Sequence, residues 1–93
     1  MKMNKKDQKA LAIIINALQC ASIMRDSAHK KEDHEMIRHW LKDEELNTCV
    51  LGVHFGIKLP CFDRMLSDMI LDKGEAEAYE AIAWEYDLIM SIK

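Results

Sequence analysis

Residues that interrupt regular backbone structure are scarce: the chain contains one proline and three glycines among 93 residues. Glycine and proline are the residues that most often end helices and strands or form tight turns. The sequence also lacks Gly/Ser-rich linkers, low-complexity tracts and internal repeats. Because a chain of this length cannot form two hydrophobic cores, we expect one domain, residues 1–93, built from a few long elements.

Cysteine is present, but in an odd number and without C-x-x-C spacing. This pattern fits neither a disulfide framework nor a cysteine zinc site, and it indicates a reducing, cytoplasmic location. Three of the four histidines recur five residues apart, which is about 140° around a helix, so they do not converge on one metal ion. The sequence therefore predicts no metal and no other cofactor.

No run of apolar residues is long enough to cross a bilayer. The longest uncharged segment, residues 10–24, is shorter than the roughly 20 residues that a spanning helix needs. It contains Asn16 and Gln19, and no small-residue cleavage site of the secretory type follows it. We interpret this segment as a helix of the core or of a subunit interface, and we expect no membrane partner.

Apolar residues recur at helical spacing along the chain, which predicts an all-α fold: a compact bundle of four to five helices. The first helix is expected to begin near Asn4 or Asp7, both competent N-caps, and to end near Arg25. Its apolar residues surround nearly the whole axis. The main face comprises Leu11, Ile14, Ile15, Leu18 and Ser22.

A second helix is expected over residues 34–46, with Asp33 as its N-cap. Beyond it the apolar face changes direction by more than about 100° around the helix axis. This change predicts a break between residues 42 and 48, followed by a short third helix that Asn47 or Thr48 caps and Gly56 ends. The two faces are Met36, Ile37, Trp40 and Leu41, then Leu46, Cys49, Val50 and Val53.

The single proline, Pro60, suits the first turn of a fourth helix, because its missing N–H is one that a helix start does not use. That helix is expected to run to Lys73, with Gly74 after its end. A last helix, residues 75–92, is acidic at its start, which is favourable to the helix dipole.

One supersecondary motif stands out in residues 48–67. Gly52 lies where two helices must approach closely, and four residues later Gly56 can adopt the left-handed turn conformation. Pro60 is followed four residues later by Arg64. Apolar residues occupy the positions that would hold the two helices together: Leu51, Phe55, Ile57, Phe62 and Met65. The segment resembles the helix-turn-helix of DNA-binding regulators.

The resemblance implies a recognition helix that opens at Pro60 and reads DNA. Arg64 would contact guanine, and Ser67 a phosphate or a base. Further contacts to the phosphates would come from basic side chains of the turn and of the amino terminus. The nucleic-acid-binding residues implied in this way are Lys58, Arg64, Ser67, Lys5 and Lys6.

The charge distribution leaves a second class of function open. Residues 1–31 carry seven basic against two acidic residues, whereas residues 32–93 carry six against fourteen. Asp63, Asp68 and Asp72 lie on the expected recognition helix, where carboxylates repel phosphates. The alternative is a protein-interaction module, such as an inhibitor or adaptor of the kind that phages and mobile elements encode.

No nucleophile–base pair, glycine-rich phosphate loop or paired-carboxylate signature is present, so we do not expect an enzyme. The sequence favours a small regulator of helix-turn-helix type that binds DNA as a homodimer, with a protein partner as the alternative. The first and last helices have more apolar surface than one small core can cover. The residues expected at the partner or dimer interface are Ile13, Ala17, Met24, Trp84 and Leu88.

Overall fold

The computed structural model describes residues 3–92, and within this range the fold is entirely helical. The four helices are α1 (Lys5–Lys30), α2 (His34–Phe55), α3 (Phe62–Lys73) and α4 (Glu75–Ser91). No strand occurs among the described residues. The predicted all-α class is confirmed.

Two side chains cap the amino-terminal ends of the long helices as the sequence predicts. The Asn4 side-chain oxygen accepts a 2.8 Å hydrogen bond from the Asp7 backbone N–H. The Asp33 carboxylate accepts a 3.2 Å hydrogen bond from the backbone N–H of Met36. Each cap satisfies one of the N–H groups that a helix start leaves without an intrahelical acceptor.

The predicted roles of Gly56 and Gly74 as the residues that end helices are also confirmed. Gly56 ends α2 in the left-handed conformation, with φ of 68°, and Gly74 separates α3 from α4 with φ of 89°. The predicted end of α1 at Arg25 is wrong, because the helix continues to Lys30. The additional turn contains Ala28, which is buried, so packing extends the helix beyond its last predicted residue.

The predicted break between residues 42 and 48 is also wrong, because α2 is one continuous helix. One straight helix can bury both apolar faces of this segment, because each face packs against different helices. Trp40 in the first half lines a cleft with Met24 of α1. Leu46, further along, faces Met69 of α3 and Ala81 of α4.

The residues expected to cap a separate third helix, Asn47 and Thr48, are instead buried within α2. The Asn47 side-chain amide donates a 2.9 Å hydrogen bond to the backbone carbonyl of Asp43, one turn earlier in the same helix. Its polar group is thus satisfied inside the helix rather than at a helix end.

Helices α1 and α2 form an antiparallel pair joined by residues 31–33. The α1 face that packs inwards is formed mainly by alanines, together with Ile14, and small side chains allow helix axes to approach closely. Arg25 of α1 and Glu44 of α2 form an ion pair across this contact. The buried residues of α1 are Ala10, Ile14, Ala21 and Ala28.

The carboxyl-terminal half of α2 packs against both α3 and α4, which also contact each other. The Tyr86 ring of α4 stacks on the His54 ring at 4.2 Å between centroids and meets the Phe55 ring edge-on at 5.8 Å. The core includes Ile14, Cys49, Val50, Leu51, Met65, Met69, Ala78, Ile82 and Ile89. None of the helices described is both long and apolar enough to span a bilayer.

Candidate interaction surfaces

The connection between α2 and α3 brings two residues into very close contact. Gly52 packs directly against the ring of Phe62, whose side chain is buried. The Ile57 backbone N–H donates a 3.1 Å hydrogen bond to the carbonyl of Leu51, which closes the end of α2 around Gly56. The two glycines therefore have the separate roles that the sequence indicates: close approach at Gly52 and a left-handed turn at Gly56.

The start of α3 differs from the prediction by two residues. Pro60 lies in a turn that the Phe62 N–H closes with a 2.9 Å hydrogen bond to the Leu59 carbonyl. Cys61 is the N-cap, without a side-chain hydrogen bond, and the helix begins at Phe62. Pro60 thus precedes the helix instead of opening it, because the chain must first turn sharply after leaving α2.

The side chains predicted to contact DNA are all exposed. Lys58, in the connection, has its ammonium nitrogen 5.9 Å from the centroid of the Phe62 ring. Arg64 and Ser67 lie on the solvent side of α3. Lys5 and Lys6 are in the first turn of α1, which the antiparallel pairing with α2 places at the same end of the molecule as Gly56. No Cα atoms of the described residues of α1 and α3 lie within 8 Å of each other.

Carboxylates dominate the solvent side of α3. Asp63, Asp68 and Asp72 are all exposed, and Asp68 and Asp72 are close enough to influence Glu45 of α2. Burial raises the pKa of the Glu45 carboxyl, and these two aspartates raise it further. Lys42 and Lys73 act on Glu45 in the opposite direction, so this side of the α2–α3 pair carries charges of both signs, and its carboxylates are unfavourable for phosphate binding.

The side of α4 that faces away from the core combines apolar and acidic side chains. Trp84 is 70% exposed and Leu88 48% exposed, and both line a shallow depression with Asp87. Glu80 and Glu77 lie on the same side of the helix, about one and two turns before Trp84, respectively. We call these five residues the α4 outer face.

The α4 outer face has a negative charge that no cation among residues 3–92 pairs with. Helix α4 contains five acidic residues and no basic residue. Among residues 3–92 the one salt bridge joins Arg25 to Glu44, so no carboxylate of the α4 outer face has a cation within 4 Å. The unpaired carboxylates of this surface can therefore attract a positively charged surface of another molecule.

The expected interface residues of α1 differ in their exposure. Ile13 and Ala17 are partly buried, and Ile13 packs against the core of its own chain. Met24 is 41% exposed and borders a cleft between α1 and α2. Of the five residues predicted at an interface, the structure thus groups Trp84 and Leu88 on α4 and separates the other three from them.

A second exposed apolar surface on α1 was missed by sequence reasoning. Ile15 is 45% exposed and Ile23 is 67% exposed, whereas Ile14 is fully buried. Assigning Ile15 to the main face with Ile14 was wrong, because consecutive residues lie about 100° apart and α1 buries a narrow alanine face. The signal that was available is the eight-residue spacing of Ile15 and Ile23, with Gln19 midway.

The cleft between α1 and the start of α2 contains an unusual polar atom. The Trp40 Nε1 atom is buried and has no hydrogen-bond acceptor. The edge of the Trp40 ring meets the His39 ring at 4.9 Å between centroids. Met24 and Met36 complete the apolar side of this cleft.

The environment of Cys49 disfavours the reactive form of its buried thiol. Burial raises the pKa of this thiol to about 11, and the neighbouring Glu45 and Cys61 raise it in the same direction. Since the thiolate is the nucleophilic form, the Cys49 thiol is a packing group. Nowhere in residues 3–92 do three or more His, Cys, Asp or Glu side chains converge in a way that could hold a metal ion.

Comparison with known proteins finds no protein-family model, curated protein or solved structure that matches this chain. Function must therefore be inferred from the chemistry of these surfaces.

Proposed function

We propose that this chain is a small non-enzymatic regulatory module that binds another protein through the α4 outer face. The observation that carries the proposal is the exposure of Trp84 in the middle of this face. Tryptophan provides a large apolar area at little cost in side-chain entropy, and it is among the residues that contribute most to protein–protein binding.

The chemistry of the α4 outer face also indicates the kind of partner. Trp84 and Leu88 provide an apolar centre, and Glu77, Glu80 and Asp87 surround it with negative charge. A complementary surface has an apolar anchor flanked by lysines or arginines. An amphipathic helix with basic residues beside a leucine stripe satisfies both requirements.

Tryptophan fluorescence tests this proposal directly, because the chain contains only two tryptophans. In a Trp40→Phe variant, Trp84 is the one remaining reporter. A leucine–lysine amphipathic peptide is expected to shift the Trp84 emission to shorter wavelength as it covers the ring. A leucine–glutamate peptide with the same apolar spacing is expected to cause no shift.

Charge reversal on α4 provides the matched control. Replacing Glu80 and Asp87 by lysine should weaken binding of the basic peptide and strengthen binding of the acidic one. The same reversal at Asp63 and Asp68, on α3, should leave both interactions unchanged. Unchanged Trp84 emission with the basic peptide up to about 1 mM, where binding free energy falls to roughly 4 kcal/mol, would contradict the proposal.

Binding of DNA through the α2–α3 unit is the second candidate function. The features that favour it are the Gly52–Phe62 contact and the left-handed Gly56, which are typical of a helix-turn-helix. Lys58, Arg64 and Ser67 are exposed, as a DNA-reading surface requires. The carboxylates beside them reduce the affinity for phosphate, and for this reason we place DNA second.

Fluorescence anisotropy with a labelled DNA duplex at low salt tests this second function. A DNA-binding α3 predicts stronger binding for Asp63→Asn and Asp68→Asn, because each substitution removes a negative charge near the phosphates. Arg64→Ala is expected to weaken the binding. If the wild-type chain and both asparagine variants leave the duplex free at low salt, the second candidate fails.

A further inference from the structure

A cavity of about 140 Å³ lies where α2, α3 and α4 meet, away from the α4 outer face. Its apolar wall consists of one residue from each helix: Leu46 of α2, Met69 of α3 and Ala81 of α4. Met69 is buried and the other two are half-buried, so these side chains form the inner part of the cavity. We call it the junction cavity.

Four charged side chains line the same cavity nearer to the solvent. Lys42 and Glu45 come from α2, and Asp72 and Lys73 come from α3. Glu45 is half-buried and the other three are exposed. Their spacing explains the arrangement, because residues three and four apart share one side of a helix. The junction cavity thus combines an apolar wall with two carboxylates and two ammonium groups.

These opposite charges do not pair with one another. Among residues 3–92 the one salt bridge joins Arg25 to Glu44, so neither carboxylate of the junction cavity has a cation within 4 Å. Both lysines are nevertheless close enough to lower the pKa of the Glu45 carboxyl. A ligand can therefore meet charges of either sign in this cavity without breaking an existing ion pair.

We propose that the junction cavity binds a free aliphatic amino acid of about the size of leucine. The α-ammonium group of the ligand lies between the carboxylates of Glu45 and Asp72. Its α-carboxylate faces the ammonium groups of Lys42 and Lys73. The aliphatic side chain packs against the apolar wall, which has no polar side chain to satisfy.

The presence of both signs of charge favours a zwitterion over a simple ion. An amine without a carboxylate would face two uncompensated ammonium groups, and a carboxylic acid without an amine would face two carboxylates. Asp68 adds to the repulsion of an anion, because it is close enough to raise the pKa of the Glu45 carboxyl. A zwitterion presents an opposite charge to each of the two pairs.

The size of the cavity limits the side chain of the ligand. A cavity of roughly 150 Å³ holds one molecule of benzene, which has six heavy atoms. The junction cavity has a similar volume, so it accommodates a branched side chain of four carbons with the charged groups at the opening. Burial and the two aspartates raise the pKa of the Glu45 carboxyl, and the ligand's ammonium group provides a compensating positive charge.

A titration of the isotope-labelled chain with leucine, followed by NMR chemical shifts, tests the proposal. We expect saturable binding with a Kd of about 1 mM or lower, and the largest shifts around Leu46, Met69 and Ala81. Three analogues each lack one part of leucine: isoamylamine the carboxylate, isocaproate the amine, and glycine the side chain. Each should bind at least about tenfold more weakly than leucine.

Two variants test the charged groups separately. Glu45→Gln and the double variant Lys42→Met, Lys73→Met should each weaken leucine binding by about tenfold. Glu35→Gln on α2 and Lys58→Met in the connection before α3 are the matched controls, because both positions lie outside the cavity, and they should bind leucine as the wild type does. Thermal unfolding shows whether each variant remains folded.

Three outcomes would overturn the proposal. The first is the absence of chemical-shift changes at about 10 mM leucine, a concentration that would nearly saturate a site of about 1 mM affinity. The second is binding of isoamylamine or isocaproate as tight as that of leucine, which would exclude a zwitterion site. The third is undiminished leucine binding by the folded cavity variants. Trp84→Glu should retain leucine binding, so failure of this site and failure of the α4 outer face are distinguishable.

Discussion

Gly52 and Phe62 pack so closely that no side chain larger than hydrogen fits between them. A β-carbon built on Gly52 would lie 2.7 Å from Cζ of the Phe62 ring and closer still to Cδ1 and Cε1. The ring is 5% exposed, so it has little room to move away. This contact sets the distance at which α3 crosses the end of α2.

Gly52→Ala is expected to lower the free energy of unfolding by about 1–3 kcal/mol, because overpacking forces the Phe62 ring or the α3 backbone to shift. Urea denaturation measures the change. Val53→Ala, at the exposed neighbouring position, is the control and should have a small effect. Recovery of part of the loss by Phe62→Leu in the Gly52→Ala background would confirm the cause, and an unchanged stability of Gly52→Ala would contradict it.

The ion pair between Arg25 and Glu44 joins α1 to α2 at a partly buried position, with the side chains 26% and 14% exposed. Arg25→Met keeps the length of the side chain but leaves the Glu44 carboxylate without its cation. We expect a loss of about 1–2 kcal/mol, between the values for exposed and for buried pairs. A double-mutant cycle with Glu44→Gln measures the coupling, and additive effects of the two substitutions would show that the pair contributes nothing.

Trp40 is expected to tolerate the loss of its N–H group. The buried Nε1 atom has no acceptor, so replacement by phenylalanine removes an unsatisfied donor while it keeps an aromatic ring in the cleft. Trp40→Phe should change the free energy of unfolding by less than about 1 kcal/mol, whereas Trp40→Ala should cost about 3 kcal/mol. Comparable destabilisation by both substitutions would show that the N–H group has a stabilising partner in solution.

Glu45 is expected to make stability depend on pH in the acidic range. Burial raises the pKa of its carboxyl above 4.5, and Asp68 and Asp72 raise it further, whereas Lys42 and Lys73 act in the opposite direction. The folded state therefore binds the proton more tightly than the unfolded state, and the contribution of this group to stability falls as pH rises from 4.5 through the raised folded pKa.

The test is Glu45→Gln, which replaces the carboxyl with a neutral group of the same shape. The variant should be more stable than the wild type at neutral pH, and the difference should shrink as the pH falls through this range. Thermal unfolding at a series of pH values measures it, with Glu35→Gln, on the exposed first turn of α2, as the control. A constant difference between Glu45→Gln and the wild type at all pH values would contradict the assignment.

The elements that sequence reasoning predicted well depend on local chemistry. Asn4 and Asp33 were identifiable as N-caps because their side chains accept hydrogen bonds from N–H groups three residues away. Gly56 and Gly74 were identifiable as helix ends because they adopt positive φ angles that other residues resist. In each case the energetics involve only a few consecutive residues.

The incorrect predictions share one physical cause: they depend on which helices pack against each segment. The rotation of the apolar face between Leu41 and Leu46 was interpreted as a break, although α2 is continuous because α1, α3 and α4 surround different parts of it. Ile15 was placed on the main apolar face with Ile14, although it is exposed, because the alanines of α1 already provide a sufficient buried face. Hydrophobic spacing cannot reveal how many neighbours a helix has.

The amino-acid sequence by itself determined that this chain is helical, that Asn4 and Asp33 cap two of its helices, and that Gly52 and Gly56 permit a close crossing of two helices. These properties follow from backbone hydrogen bonding and from the conformational freedom of glycine. The tertiary structure decided which surfaces remain open: it exposed Trp84 and Leu88 on α4, and Ile15 and Ile23 on α1. Exposure depends on which helices cover one another, and residues distant in the sequence decide that.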